Sequence, residues 1–249
     1  MIKFFRKIRQ NMIKENRVSK YILYAIGETI LVVIGILIAL QINNWNEEKK
    51  TKAKIKNTLV ALHNDLVQDT LLITNGLPYV IEQFELNESL RDRVAQPKAT
   101  LDTLINITRY EFNPNWSYQI LYNTNAYNSL NQTGLIESLS DSLKANIKNF
   151  YNNKFYLNNK VEKITNDYRN KVSSFVDTYA FGSTSLHDQG PLINNLIWEN
   201  VNPSHLAATF QGISNFKRIQ YKETKEEMEY SLTHSRSLLQ HIDSYLKKL

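Results

Sequence analysis

The chain has no cysteine, and with only 7 glycines and 5 prolines among 249 residues it is poor in the residues that mark tight turns. The lack of cysteine excludes a disulfide framework, a thiolate metal site and a cysteine nucleophile. The scarcity of glycine and proline argues against sandwiches, barrels, Rossmann sheets and glycine-rich phosphate loops, all of which need frequent turns. The composition therefore favours long helices.

The net charge of +6 is concentrated at the amino terminus. Residues 1–20 hold seven Lys and Arg residues and one Glu, whereas the other 229 residues hold 23 basic and 23 acidic residues. Nucleic-acid-binding proteins carry a basic face on their folded part, so we expect no nucleic acid partner. Ile2, Phe5, Ile8 and Met12 recur at helical spacing between the basic residues. This pattern predicts a cationic leader that lies on an anionic membrane surface, or alternatively a docking helix for a cytoplasmic partner.

Residues 21–42 form a long apolar run in which Glu28 is the only formally charged residue. About 20 mostly apolar residues are enough for a helix to cross a bilayer. Tyr21, Tyr24 and Trp45 occupy the positions of interface anchors, and the 21 residues from Tyr24 to Trp45 would span about 31 Å as a helix. The run is longer than the core of a signal peptide and has no small-x-small cleavage pattern. We therefore predict a retained transmembrane helix.

The basic residues on the two sides of this helix predict its orientation. The leader carries seven Lys and Arg residues, and residues 43–56 carry five Lys and two Glu. The positive-inside rule then places the amino terminus in the cytoplasm, in a single-pass protein of a bacterial inner membrane. The predicted organisation is a cytoplasmic leader over residues 1–20, a transmembrane helix over 21–42 and an extracytoplasmic, periplasmic helical domain over 43–249.

The first 50 residues also carry a recognisable pattern. Its parts are Ile2-Lys3-Phe4-Phe5-Arg6-Lys7-Ile8-Arg9, Tyr24-Ala25-Ile26-Gly27-Glu28, the apolar run from Leu31 to Leu40, and Ile42-Asn43-Asn44-Trp45-Asn46-Glu47-Glu48. This pattern resembles the amino-terminal signature of the domain of unknown function 6090 family of bacterial membrane proteins. The resemblance implies a single-pass anchor with a helical extracytoplasmic domain. It implies no activity, ligand or catalytic residue.

One face of the predicted transmembrane helix is a candidate contact surface. Gly27, Gly35 and Ala39 lie near this face, and small residues allow another helix to approach closely. Glu28 lies about one turn inside Tyr24. Its carboxylate can reach the cytoplasmic headgroups or bond to Tyr24, or it can form an interhelical hydrogen bond to a second copy or to another membrane protein. Both explanations remain open, and the bilayer itself is an expected partner.

The periodicity beyond the membrane predicts an all-α fold, an elongated antiparallel helical bundle that follows the transmembrane helix. Apolar residues at Ile55, Leu59, Leu62, Leu66 and Ile73 form a seam that Asp69 interrupts. We expect Gly76-Leu77-Pro78 to end this helix. Further helices are predicted at 79–95, 101–107, 141–179 and 207–248, and the charged stretch 222–229 of the last one is expected to be solvated.

Residues 112–136 are unusual because none of these 25 residues is acidic, basic or histidine. Trp116, Tyr118, Tyr122 and Tyr127 occur there among many amides, so they are candidates for a surface that stacks on a neutral polar ligand such as a sugar. The alternative, which we favour, is a buried helix whose aromatic side chains fill the bundle.

The sequence has no pattern that predicts catalysis. His234 and His241 are seven residues apart, whereas metal sites on helices use closer pairs with further ligands, so we expect no metal, no other cofactor and no catalytic residue. The leading hypothesis is a non-enzymatic scaffold or accessory subunit that acts through protein–protein contacts. Two alternatives are a small-ligand sensor coupled through the transmembrane helix and an enzyme with an unrecognised site.

Overall fold

The computed structural model describes residues 18–114, 118–179 and 190–249, and within these ranges it contains helices and no strands. The main helices are α1 (Val18–Ala95), α2 (Leu101–Asn106), α3 (Asn125–Gln132), α4 (Asp141–Val176), α5 (Gly190–Glu199) and α6 (Pro203–Leu246). A π-helical turn, Ile107–Glu111, continues α2, and a 3₁₀ turn, Leu135–Ser138, precedes α4. The predicted all-helical fold is confirmed. The chain divides into two compact units, Met1–Lys56 and Asn57–Leu249.

The described part of the first unit is the amino-terminal part of α1. This part is long and apolar enough to cross a membrane, and none of its most apolar 18 residues is buried. Its large apolar side chains, from Ile22 to Ile42, are exposed. The leader that the sequence predicts at 1–20 lies outside the described residues up to position 17. This part of α1 therefore presents exposed apolar side chains along its length.

In the second unit α6 runs antiparallel to both α4 and α1. Asn146 near the start of α4 contacts His241 near the end of α6, and Lys160, later in α4, pairs with Glu223, which is earlier in α6. Along α1 and α6, His63 faces Asp243 and Asn87 bonds to the Ser214 carbonyl in the same opposed order. Short helices and loops connect these three long helices, so the second unit is a helical bundle.

Apolar side chains from the long helices form the interior of the second unit. The predicted seam of α1 is buried, with Leu59, Leu62, Leu66 and Ile73 fully inaccessible. One cluster centres on Phe112, which makes edge-to-face contacts with Phe175 and Phe210. Such a periodic apolar stripe forms a helix because burying one face supplies most of the helix's stability.

Local signals set several helix ends as predicted. Thr100 caps α2 with a reciprocal capping box to Thr103, and α1 ends at Ala95, just before Gln96-Pro97. Gly134 adopts a left-handed conformation with φ 70° after α3.

The last helix begins four residues earlier than predicted. The Asn202 side chain accepts a hydrogen bond from His205 N, and Pro203 fills the first turn, where a missing N–H costs nothing.

The prediction that Gly76-Leu77-Pro78 ends the first long helix is wrong. Helix α1 continues through Pro78 to Ala95. Ile73 and Val80 on either side are fully buried, so tertiary packing outweighs the hydrogen bond that proline cannot make. Gly76 lies where the Tyr118 hydroxyl approaches, since an added Cβ would lie 1.9 Å from that oxygen. The glycine therefore provides room for a tyrosine and does not end the helix.

Two further expectations differ from the structure. The segment 112–136 is not one helix, because among its described residues α-helix is limited to Asn125–Gln132 and residues 118–124 have no regular structure. The stretch 222–229 is not fully solvated, because Thr224, Glu227 and Met228 are buried. Charged residues alternate with buried ones there at helical spacing, so only the outer face of α6 contacts solvent.

Candidate functional site

The membrane-contact candidates all lie on α1. An added Cβ at Gly27 or Gly35 would meet no atom within 4 Å, and Ala39 is exposed. Glu28 and Tyr24 are partly buried, and Trp45 is 63% exposed with Lys49 Nζ 5.7 Å from its ring. The side chain of Tyr21 is outside the described residues. The small-residue face is therefore open to another helix, and its use in assembly remains a prediction.

The aromatic ligand candidates pack inside the second unit where they are described. Tyr118 lies against Gly76, Tyr127 stacks on Tyr151 with ring centroids 3.9 Å apart, and Tyr122 bonds to Glu227. Trp116 lies outside the described residues. These rings pack within the bundle, as expected if the segment is buried and does not form a ligand surface, although the segment around them is mostly not helical. Ligand binding by these residues remains a prediction.

A buried ion pair lies where the segment 118–126 meets the long helices. Lys154 of α4 donates from Nζ to Asp69 Oδ2 of α1 at 2.7 Å, and the two side chains are 1% and 0% exposed. The backbone N–H and the side-chain amide of Asn123 both donate to the other oxygen, Oδ1, at 3.0 and 2.9 Å. Both oxygens of the Asp69 carboxylate therefore accept hydrogen bonds, as a buried charge requires.

Aromatic rings surround the ammonium group of this pair. Lys154 Nζ lies 4.0 Å from the ring centroid of Tyr122 and 5.4 and 5.6 Å from those of Phe150 and Tyr151. Burial lowers the pKa of Lys154 more than the nearby carboxylates, above all Asp69, raise it. Lys154 consequently occupies a buried position at which the charged form of its amine is disfavoured.

A second carboxyl group, Glu227 of α6, completes the cluster. Tyr122 Oη donates to Glu227 Oε2 and Ser231 Oγ donates to Oε1, both at 2.8 Å. Burial raises the pKa of Glu227, and the two hydroxyl donors and Lys154 only partly oppose this. The cluster thus joins α1, α4 and α6 to the irregular segment through charged and polar side chains.

Sequence reasoning singled out only part of this cluster. The apolar periodicity marks Asp69 as an interruption of the α1 seam, but it predicts no role for Lys154 or Glu227. A signal for Lys154 exists, because it fills the helical step between the apolar residues Phe150 and Leu157. Glu227 gives no such signal, since it is one of several acidic residues in a charged stretch. Polar residues in apolar positions of long helices are therefore the useful indicator.

A second buried lysine, Lys217 of α6, lies elsewhere in the bundle. Its Nζ donates to the backbone carbonyl of Asn113 at 2.7 Å and lies 5.1 Å from the ring centroid of Phe112. Burial lowers the pKa of Lys217 to about 8. Among the described residues it has no ion-pair partner. It tethers the chain after the π-helical turn to α6.

The histidines His234 and His241 line a groove of about 270 Å³ between α4 and α6. His234 stacks on Tyr230 with ring centroids 3.9 Å apart, and His241 Nδ1 lies 3.0 Å from the side-chain nitrogen of Asn146. Asn149 and Asn153 add amide groups to the rim. In the described part of the chain no three His, Asp or Glu residues are grouped as metal ligands. The groove offers hydrogen-bonding groups to a neutral polar molecule.

Comparison with known proteins gives one match. The model of a family of unknown function (DUF6090) matches residues 28–189, about two thirds of the chain. No curated protein and no solved structure matches the chain. The match includes the apolar part of α1 from Glu28 onward, the aromatic segment and α4.

Proposed function

The chain belongs to the DUF6090 family, and we propose that it is a single-pass membrane protein that acts, without catalysis, through contacts with other membrane proteins or with a second copy of itself. It serves as a scaffold or accessory subunit. Its helical domain lies outside the cytoplasm, and it binds no nucleic acid.

Membrane insertion is supported by a comparison of magnitudes. Residues 21–42 contain 13 Leu, Ile and Val residues. Each contributes about −0.3 to −0.6 kcal/mol to insertion at the helix centre, which gives at least about −4 kcal/mol together. On the same insertion scale, a charged residue at the helix centre opposes this by about 2.5–3.5 kcal/mol, and Glu28, which lies nearer an interface, opposes it by less. Insertion therefore remains favourable although the span contains a carboxyl group.

The topology can be tested directly because the chain has no cysteine. Single cysteines introduced at the exposed positions Ser237 and Asn159 should react with a membrane-impermeant maleimide in intact spheroplasts. A cysteine at Lys3 should react only after the membrane is opened. Labelling of the Lys3 position in intact spheroplasts would contradict the proposed orientation.

The observation that carries the proposal of protein contacts is Glu28 beside Gly27 in a helix whose large apolar side chains are exposed. A carboxyl group in hydrocarbon gains most from a hydrogen bond across a helix interface, and small residues let the second helix come close. We expect Glu28→Leu to leave insertion intact and to shift the complex to a smaller size on native gels.

A matched control for this variant is Thr29→Val. The Thr29 hydroxyl donates to the Ala25 carbonyl of its own helix at 2.9 Å, so its loss should leave an assembly unchanged. An unchanged complex in Glu28→Leu would remove the support for an interhelical contact at this position.

A second candidate function, an extracytoplasmic ligand sensor, is favoured by the groove between α4 and α6. The groove is lined by amides, two aromatic rings and two imidazoles, and it suits a neutral polar ligand. A ligand that binds only the folded state raises the unfolding temperature. A thermal-shift screen of mono- and disaccharides, with Asn149→Ala as the groove variant and Asn159→Ala as its control, tests this function. The absence of any shift would count against it.

A further inference from the structure

In the ion pair between Lys154 and Asp69, an amine and a carboxyl group lie close enough to condense to an amide. The amine nitrogen lies 2.7 Å from one carboxyl oxygen, and both side chains are at most 1% exposed. The other oxygen of Asp69 accepts two N–H donors from Asn123. Two such donors on one oxygen stabilise the negative charge that develops there when a nucleophile adds to the carboxyl carbon.

The surroundings favour the neutral, nucleophilic form of the Lys154 amine. Burial of Lys154 disfavours charge on its amine, although the rings of Tyr122, Phe150 and Tyr151 attract a cation. When the proton of the ammonium moves to the carboxylate, the pair becomes a neutral amine beside a carboxylic acid. The fold holds the two in contact, and an oriented intramolecular pair reacts as if at very high concentration.

We propose that Lys154 and Asp69 form an intramolecular amide bond that covalently joins α4 to α1. The proton moves from Lys154 Nζ to Asp69 Oδ2, and the neutral Nζ then attacks the side-chain carboxyl carbon, Cγ. The oxygen Oδ1 takes up the negative charge against the Asn123 donors. The C–Oδ2 bond breaks, the departing hydroxyl takes a proton from the nitrogen, and one water leaves. The ammonium and carboxylate become one amide and one water, and no other reactant is needed.

The bond would remove two charges from the interior. A buried ion pair retains a desolvation cost that its attraction only partly offsets, whereas an amide is neutral. The bond also closes a loop, because its residues are 85 positions apart in the chain. A closed loop of this length restricts the unfolded chain in the way that a disulfide does, in a protein that has no cysteine.

The test is the mass of the full-length protein, purified from membranes in detergent and then denatured. We expect a mass lower than that of the sequence by one water. Trypsin should fail to cleave after Lys154 and should yield the peptide 57–91 joined to the peptide 149–160. The full sequence mass, with the peptide ending at Lys154 released, would overturn the proposal. A missing water with normal cleavage after Lys154 would also overturn it, because the water was then lost elsewhere.

Three variants locate the bond. Lys154→Arg keeps the positive charge but cannot form the amide, so its mass should equal that of its sequence with no water lost. Without the bond between positions 69 and 154, its denatured chain should also migrate more slowly on a gel. Lys160→Arg, which changes an exposed lysine of the same helix that pairs with Glu223, should lose water like the natural chain. Asn123→Ala removes one donor from Oδ1 and should lower the cross-linked fraction. Equal loss of water in Lys154→Arg and Lys160→Arg would refute the assignment.

Discussion

Replacement of the buried cation Lys217 by an apolar side chain should stabilise the protein at neutral pH. Lys217 is 3% exposed, and its burial lowers the pKa from 10.5 to about 8. Each pKa unit corresponds to about 1.4 kcal/mol, so keeping this amine charged costs the folded state about 3 kcal/mol at pH 7. Lys217→Met removes this cost and also removes the hydrogen bond to Asn113, which is worth about 1 kcal/mol. A net gain of about 1–2 kcal/mol is expected.

The sign of the pH dependence follows from the lowered pKa. Between pH 8 and 10.5 the unfolded chain binds more protons at Lys217 than the folded chain, so stability rises with pH in this window. Below pH 8 the cost is constant. Between pH 7 and pH 9.5 the cost of the charged amine should fall from about 3 to about 1 kcal/mol. The advantage of Lys217→Met over the natural chain should shrink by the same amount.

The assay is urea unfolding of the full-length protein in mild detergent, followed by circular dichroism at pH 7 and pH 9.5. The matched control is Lys222→Met on the same helix, where the lysine is 61% exposed, so the change should stay within about 0.5 kcal/mol at both values. The reasoning is refuted if Lys217→Met is destabilised at pH 7, or if its difference from the natural chain does not change with pH.

Three further stability predictions use the same unfolding assay. Gly76→Ala should lower the free energy of unfolding by about 1–2 kcal/mol, because Tyr118 must move away from the new methyl group. Gly212→Ala, where the new methyl group meets no atom, should raise it by up to about 1 kcal/mol. Equal effects of the two variants would contradict this prediction. Glu227→Gln should gain stability relative to the natural chain as the pH rises, because a carboxyl group with a raised pKa stabilises the fold only while protonated. A difference in unfolding free energy that does not change with pH would refute this prediction. Asn202→Ala should cost about 1 kcal/mol because its side chain caps α6, and Ser140→Ala should cost less because its side chain makes no capping bond; the reverse order would be inconsistent with the structure.

Helix content and several helix ends could be predicted from sequence because they depend on local chemistry. The capping box at Thr100 involves residues three positions apart, and the left-handed Gly134 needs only the absence of a Cβ atom. The buried seam of α1 follows from the spacing of its apolar residues. These features need no knowledge of the rest of the chain.

The features that could not be predicted depend on residues far apart in the chain. Gly76 resembles a helix stop until Tyr118, 42 positions later, is seen to lie against it. Glu227 resembles a surface residue until Tyr122, 105 positions away, donates to it. Pattern reasoning treats each helix separately, whereas burial of a polar side chain is decided by the helix or loop that packs against it.

The central claim, that the protein works through contacts with membrane partners, is tested most directly by isolating the full chain from its native membranes in mild detergent. Mass spectrometry would then quantify every protein that co-elutes, with Glu28→Leu processed in parallel. We expect one partner in near-equal amount, or a second copy of this chain detected by the size of the complex, and we expect this partner to be lost in Glu28→Leu. Recovery of the chain as a monomer without any partner would contradict the account.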